Sequence, residues 1–132
     1  MQKSLDDCFN DLRPLRVIIA GSREFKEEQR NYELLKITMD SLNLNIGEIV
    51  SGNANGADQL GERYANEKQI TLHVFPVSEE DWKKSKAAGL RRNEKMAKYA
   101  DYLVAFSMGT PGTEHMINTM KKLGKPTHVV RM

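Results

Sequence analysis

Short apolar segments alternate with amphipathic helical patterns along almost the whole of this 132-residue chain. The segments are rich in β-branched residues and are apolar at successive positions, which is typical of strands buried on both faces of a sheet. Strands are predicted over 15–22, 46–52, 70–76, 101–107 and 126–132, and helices over 27–44, 56–69, 90–100 and 112–124. Because short connections and right-handed crossovers join such units, the order predicts a doubly wound, mainly parallel five-stranded sheet with helices on both faces.

Length and composition favour a single domain. One domain is expected over 15–132, preceded by an N-terminal arm over 1–14 with a capped helical pattern. Twenty basic and eighteen acidic residues leave a formal charge of +2, which lacks the basic excess of a typical nucleic-acid binder. The single cysteine, Cys8, and the absence of a long apolar run predict a cytoplasmic protein without a membrane partner.

Glycine-rich turns follow three of the predicted strands. They read "GSREF", "SGNANGAD" and "FSMGTPGTEH", and in a parallel sheet they meet at the carboxyl edge. Each turn leads into a helix, whose free N–H groups favour an anion, and glycine lets a phosphate approach the backbone. Asp58 is placed to cap its helix or to accept a hydrogen bond from a ribose hydroxyl, and both interpretations stay open.

Common cofactor motifs are missing from these turns. Neither the dinucleotide pattern G-x-G-x-x-G nor the Walker pattern G-x-x-x-x-G-K-[ST] occurs, so no cofactor is expected. The three histidines show no metal-ligand spacing, so no metal site is expected either.

Four segments, taken in order, resemble the YspA, cpYpsA-related SLOG family. They are "GSREF", "SGNANGADQLGERYANE", "AAGLRRNEKMAKYADYLVAF" and "GTPGTEHMI". The resemblance implies a Rossmann-like fold related to the LOG phosphoribohydrolases and to DprA-type domains, a nucleotide or nucleotide-derived ligand, and a homo-oligomer. The residues expected around the ligand are Gly21, Ser22, Arg23, Gly52, Asn53, Gly56, Asp58, Arg92, Asn93, Gly109, Gly112 and Thr113.

The chain keeps only part of the catalytic pattern of LOG enzymes. Arg92 falls on the position of a catalytic arginine, but Met116 stands where those enzymes carry a glutamate. A thioether neither accepts a proton nor stabilises a cation as a carboxylate does, so a hydrolase would need Glu114 in that role.

Three functions therefore remain. The first is a sensor or sequestering protein for a nucleotide, the second a nucleotide hydrolase using Arg92 and Glu114, and the third a DprA-like nucleic-acid binder, which the near-neutral charge disfavours. The resemblance places Arg92 at the ligand as its chief cationic contact rather than in a surface ion pair, and its loss is expected to change folding little.

Overall fold

The computed structural model describes residues 13–25, 28–52, 56–85 and 87–132, and over these ranges the chain forms five strands and five helices. The N-terminal arm, apart from Arg13 and Pro14, lies outside the described residues. The strands are β1 (Leu15–Gly21), β2 (Ile46–Ser51), β3 (Thr71–Val74), β4 (Tyr102–Ser107) and β5 (Thr127–Arg131). The helices are α1 (Gln29–Leu42), α2 (Ala57–Lys68), α3 (Glu79–Lys84), α4 (Ala88–Tyr99) and α5 (Pro111–Lys122).

The strands form one sheet in the order β3-β2-β1-β4-β5, and all four neighbouring pairs of the described sheet are parallel. The chain first builds outward from β1 to β3 and then crosses back to place β4 on the other side of β1. This reversal makes the gap between β1 and β4 the topological switch point, where ligands of doubly wound folds sit. The predicted fold class is confirmed.

Helices cover both faces of the sheet because successive strand residues point to opposite sides. Alternate residues of β1 illustrate this: Val17 and Ile19 face α1 and α2, whereas Ile18 faces α4 and α5. The residues of α5 that were expected to face inward are buried on the side of the sheet that α4 and α5 cover, namely Met116, Ile117 and Met120. Burial on both faces explains why the strand sequences are apolar without alternation.

Helix α3 is a difference from the sequence-based expectation, which placed no helix between β3 and the helix leading to β4. Its six residues are too few to show an apolar period, but its start carries a readable signal. Ser78 is the N-cap, and its hydroxyl accepts a hydrogen bond from the backbone N–H of Asp81 at 3.1 Å. Helix α4 also begins two residues earlier than expected, at Ala88, so Arg92 lies in its second turn.

None of the helices within the described ranges combines the length and apolar character needed to cross a membrane.

Candidate functional site

A cleft of about 550 Å³ opens at the switch point, along the carboxyl edge of the sheet. The loops that follow β1, β2 and β4 form its walls, as the three glycine-rich turns predicted. The first turns of α2, α4 and α5 reach it through Asp58, Gly89 and Gly112. Because the N-terminal end of a helix carries partial positive charge and free N–H groups, this arrangement suits an anionic group.

Arg92 connects three walls of the cleft. Its Nη1 donates to the backbone oxygens of Gly52, at 2.6 Å, and Phe75, at 3.2 Å, and its Nε donates to Asn93 Oδ1 at 3.1 Å. Burial lowers the pKa of the Arg92 guanidinium, the nearby Asp58 carboxylate opposes that change, and the positive charge of Arg23 adds to it. Arg92 therefore lines the cleft, and its hydrogen bonds also join α4 to the ends of β2 and β3, contacts that the sequence did not predict.

The Arg92 guanidinium approaches Gly52 closely. A Cβ atom at this position would lie 2.6 Å from Arg92 Nη1, 2.7 Å from Arg92 Cζ and 3.0 Å from Asp58 Oδ2. Real Cβ atoms essentially never lie within 3.0 Å of another atom, so any other residue here would require the Arg92 guanidinium to shift. The glycine of the second turn thus serves the packing of Arg92 directly.

Hydrogen bonds of hydroxyl groups join the loop after β4 to the loop after β1. Ser22 Oγ lies 2.9 Å from Thr110 Oγ1 and accepts a hydrogen bond from the backbone N–H of Met108 at 3.0 Å. Thr110 Oγ1 in turn donates to Thr113 Oγ1 at 3.2 Å. On the other side, Asn93 Nδ2 donates to the backbone oxygen of Gly112 at 3.3 Å, so α4 also supports the start of α5.

The remaining wall of the cleft is largely apolar. Met96 and Met116 are almost fully buried behind the surface, whereas Leu90 is 41% exposed at the edge of the cleft. Pro76 and Val77 continue this apolar wall from the segment that follows β3. The cleft therefore combines a cationic, hydroxyl-rich side with an apolar side.

Glu114 is engaged away from the cleft walls. Its carboxylate accepts hydrogen bonds from Ser107 Oγ at 2.8 Å and from Arg131 Nη1 at 3.1 Å. The Arg131 hydrogen bond is the main cause of a lowered pKa at Glu114, and the Ser107 hydroxyl adds to it. Met116, by contrast, lines the cleft, so the position where LOG enzymes carry a glutamate is occupied by an apolar side chain.

Nine of the residues predicted to surround the ligand line this one cleft: Gly21, Ser22, Arg23, Gly52, Asp58, Arg92, Asn93, Gly112 and Thr113. Gly56 and Gly109 are not among its lining residues. Gly56 has a φ of 83° and packs below the loop after β1, where a Cβ would lie 2.6 Å from the backbone oxygen of Ser22. Asn53 lies outside the described residues.

The sequence interpretation missed several residues of the cleft. Thr110 had a readable signal, because it directly precedes Pro111 at the first position of α5. Gly89 was missed because the predicted helix began at Leu90, two residues after the observed start of α4. Met96 matches the methionine of the first LOG segment but was not predicted among the ligand residues, because its position on α4 is equally typical of a core residue.

Within the part of the chain that the structure describes, no group of three or more histidine, cysteine, aspartate or glutamate residues is arranged to hold a metal ion.

Comparison with known proteins gives a sequence relative and a structural neighbour, while no family model matches the chain. The structural neighbour is the DNA processing protein A (DprA) from Streptococcus pneumoniae, with a TM-score of 0.71 and 13% sequence identity. The alignment covers 88% of this chain and 50% of that one, so the chain spans half the length of DprA. At this identity the likeness concerns the fold alone, which is DprA-like.

The sequence relative is the gene 61 protein of Mycobacterium phage D29, which is 33% identical over 116 residues. The alignment covers 84% of this chain and 92% of that protein, so it includes nearly the whole of both. The chain therefore belongs to the family of the gene 61 protein of Mycobacterium phage D29.

Proposed function

We propose that this protein binds a nucleotide or nucleotide-derived ligand in the switch-point cleft, as a sensor or sequestering protein. The observation that carries the proposal is the distribution of charge around the cleft. Arg23 and Arg92 lie close enough for the charge of one to lower the pKa of the other. An anion between two such guanidinium groups relieves their repulsion, which makes this side suitable for a phosphate.

Carboxylates on the same cleft favour a nucleotide over a bare anion. Asp58 is 7% exposed and Glu24 is exposed, and both line the cleft. A carboxylate repels a phosphate but accepts hydrogen bonds from sugar hydroxyl groups. With a phosphate near the arginines and a sugar near the carboxylates, the apolar wall that includes Leu90 and Val77 remains for a base.

We also propose that the protein is a member of the YspA group of SLOG proteins. It is supported by the four motifs, each of which supplies residues that line the cleft. The homo-oligomeric state expected for such proteins is also proposed, and sedimentation of the full chain measures it.

Nucleic-acid binding is the second candidate, because the structural neighbour is named a DNA processing protein. The balanced charge of the chain disfavours it, since binding along a polyphosphate backbone draws on many unpaired cations. Hydrolysis of the LOG type is disfavoured by the ion pair of Glu114 and by Met116 in the cleft wall.

A retention experiment separates these functions. The purified full chain is incubated with a mixture of nucleotides and signalling nucleotides, then passed through a desalting column, and the retained molecules are identified by mass spectrometry. The proposal expects one or more nucleotides to be retained unchanged. Release of a free base indicates a hydrolase, and retention of an oligonucleotide with no mononucleotide indicates a nucleic-acid binder.

Arg23 provides a test of the site with a matched control. Arg23 is exposed, no carboxylate of the described residues forms an ion pair with it, and it lines the cleft. Arg91 is also exposed but does not line the cleft. The Arg23→Ala variant should therefore retain less nucleotide than the parent, while the Arg91→Ala variant should retain the same amount.

A further inference from the structure

The two faces of the sheet are covered by helices to different extents. On the first face, α2 packs across β1, β2 and β3. On the second face, α4 packs against β1, and α5 packs against β4 and β5. None of the described helices packs extensively across β2 and β3 on this second side, where the last turn of α4 contributes the side chain of Tyr99 at the border.

A cluster of rings and one carboxylate occupies this less covered area, which we call the open face and which is formed by Glu48, His73, Phe75 and Tyr99. The His73 ring stacks on Phe75 with the ring centres 4.6 Å apart, and it contacts the Tyr99 ring at the same distance. The Tyr99 hydroxyl lies 2.8 and 2.9 Å from the two carboxylate oxygens of Glu48. The side chain of His73 is 42% exposed and Phe75 is only half-buried, so the cluster still has apolar area to bury.

Arg16 marks the amino end of the open face. Its guanidinium carbon lies 4.5 Å from the centre of the Tyr99 ring, and its Nε lies 3.7 Å from Glu48 Oε2. The side chain is 48% exposed. A half-exposed guanidinium at the rim of an apolar area favours a partner that carries carboxylates.

The N-terminal arm joins the sheet beside this rim. Pro14 packs so closely on β2 that a Cβ atom at Gly47 would lie 2.5 Å from Pro14 Cβ. The twelve residues that precede Arg13 are therefore attached at the amino end of β1 and β2, next to Arg16 and Glu48. Since α2 already fills the first face of these strands, the open face is the sheet surface within their reach.

The arm matches the open face in length and in chemistry. Its eight residues 5–12 would span about 12 Å as a helix, and the four residues of β3 span about 13 Å. Three aspartates and one lysine give the arm an acidic polar side. Its helical pattern places four apolar residues on one stripe: Leu5, Cys8, Phe9 and Leu12.

From this placement we propose that residues 5–12 of the same chain dock along the open face, as an amphipathic helix docks in a groove. The apolar stripe covers the rings of His73 and Phe75, and an aspartate of the arm pairs with Arg16. This contact lies outside the cleft and does not rest on the proposed function.

Paramagnetic broadening in NMR spectra of the full chain tests where the arm lies. Because Cys8 is the single cysteine, Cys8→Ala combined with Asp7→Cys gives one site for a nitroxide label, on the polar side of the arm pattern. The label should broaden the backbone amide signals of Glu48 and His73 most strongly and that of Ile37, on α1, least. Equal broadening at these positions would overturn the proposal.

A mixed sample decides which copy of the chain the arm contacts. Spin-labelled chain without ¹⁵N is mixed with ¹⁵N-labelled chain that carries no spin label, so that any broadening reports a contact between copies. The proposal expects no broadening at His73 in this sample. Broadening there would overturn the proposal and assign the open face to the arm of a second copy.

The reactivity of Cys8 tests the contact in a chain that keeps its own cysteine. Docking of the apolar stripe should shield this thiol from an aromatic disulfide reagent. Phe9→Ser should raise the rate of the thiol reaction about tenfold, which corresponds to the loss of about 1.4 kcal/mol of docking free energy. Asn10→Ser is the control on the polar side of the arm and should react at the parental rate.

His73→Asp tests the same contact from the open face, because a new carboxylate there repels the aspartates of the arm. It should raise the rate of the Cys8 reaction, whereas Ile37→Asp, at a side chain on α1 that is 68% exposed, should leave the rate unchanged. Equal rates in the parent, Phe9→Ser and His73→Asp would contradict the docking of the arm. Nucleotide retention is measured separately, so that result would leave the proposed function standing.

Discussion

Arg92 shows how one side chain serves both the fold and the cleft. Its guanidinium donates hydrogen bonds to the backbone oxygens of Gly52 and Phe75, which follow the neighbouring strands β2 and β3. Hydrogen bonds from a charged donor in a partly buried setting stabilise a fold more than neutral ones do. Substitutions here should therefore change stability and binding together.

Replacing Arg92 by alanine should lower the free energy of unfolding by about 1.5 to 3 kcal/mol, because two backbone oxygens lose a charged donor. Arg91→Ala is the matched control one residue earlier in α4, exposed and expected to shift stability by less than about 0.5 kcal/mol. Urea denaturation measures both. Equal stability of the two variants would show that the Arg92 contacts do not hold the loops.

Gly52→Ala should resemble Arg92→Ala in nucleotide binding, because the new Cβ occupies the space of the guanidinium. Gly112→Ala is the control for stability: a Cβ there meets nothing within 4 Å, and alanine is favoured over glycine inside a helix by about 1 kcal/mol. Thermal denaturation should therefore show a lower Tm for Gly52→Ala and an unchanged or higher Tm for Gly112→Ala. The reverse order would contradict the close approach of Arg92 and Gly52.

Among the elements, α4 depends on residues outside itself for its carboxyl end. The ammonium group of Lys125, just before β5, donates to the backbone oxygens of Ala97, Lys98 and Ala100 at 2.7, 2.9 and 2.6 Å. Arg16 Nη1, on β1, donates to the backbone oxygen of Tyr99 at 3.2 Å. The last carbonyls of a helix have no partner within it, so these side chains act as its C-terminal cap.

The Lys125→Met variant keeps most of the aliphatic stem and removes the three donated hydrogen bonds. It should lower the free energy of unfolding by about 1.5 to 3 kcal/mol, less than a simple sum because one ammonium serves all three oxygens. Lys122→Met is the control, an exposed lysine in the last turn of α5. If chemical denaturation found the two variants equally stable, the cap would not contribute.

The contact between α5 and β5 should make stability depend on acid pH. The pKa of Glu114 is lowered in the folded protein by Arg131 and Ser107, so the unfolded chain binds the proton more readily. The stabilisation is therefore present above the ordinary pKa of 4.5 and is lost as the pH falls through the lowered value.

Glu114→Gln should accordingly have a lower Tm than the parent at neutral pH, and the difference should shrink below about pH 4.5. Arg131→Met should reduce the same pH dependence from the other side of the ion pair. A Tm difference that stays constant from neutral to acid pH would exclude a charged role for Glu114. The hydrolase alternative makes a different prediction, a loss of base release, so one variant addresses both.

At the scale of the whole molecule, the fold could be predicted from the sequence because the strand pattern and the helix pattern both indicated alternating strands and helices. Strands buried on both faces, such as β1 and β4, gave unbroken apolar runs, and the intervening helices gave one-sided patterns. The parallel order then brought the glycine-rich turns to one edge, so most of the cleft was predictable from turn position alone. Nothing in those patterns reports hydrogen-bond partners, which is why the structural role of Arg92 and the ion pair of Glu114 emerged only in three dimensions.

The same limit explains the other missed residues. Helix α3 has too few residues for a periodic signal, and Thr110 acts through hydroxyl contacts with residues far away in sequence, such as Ser22. Helix α4 starts without a side-chain cap among the described residues, so no sequence signal marked its boundary, and Gly89 was missed.

The central claim, that a nucleotide occupies the switch-point cleft, is tested most directly by NMR titration of the full chain. The ¹⁵N-labelled protein is titrated with each nucleotide found by the retention experiment and with adenosine monophosphate as a fixed probe. We predict that backbone amide shifts concentrate at Ser22, Gly52, Gly112 and Thr113, together with the Arg92 side-chain Nε–H signal. Shifts concentrated instead at the opposite end of α5, around Lys122 and Leu123, or no shift with any nucleotide, would contradict the account.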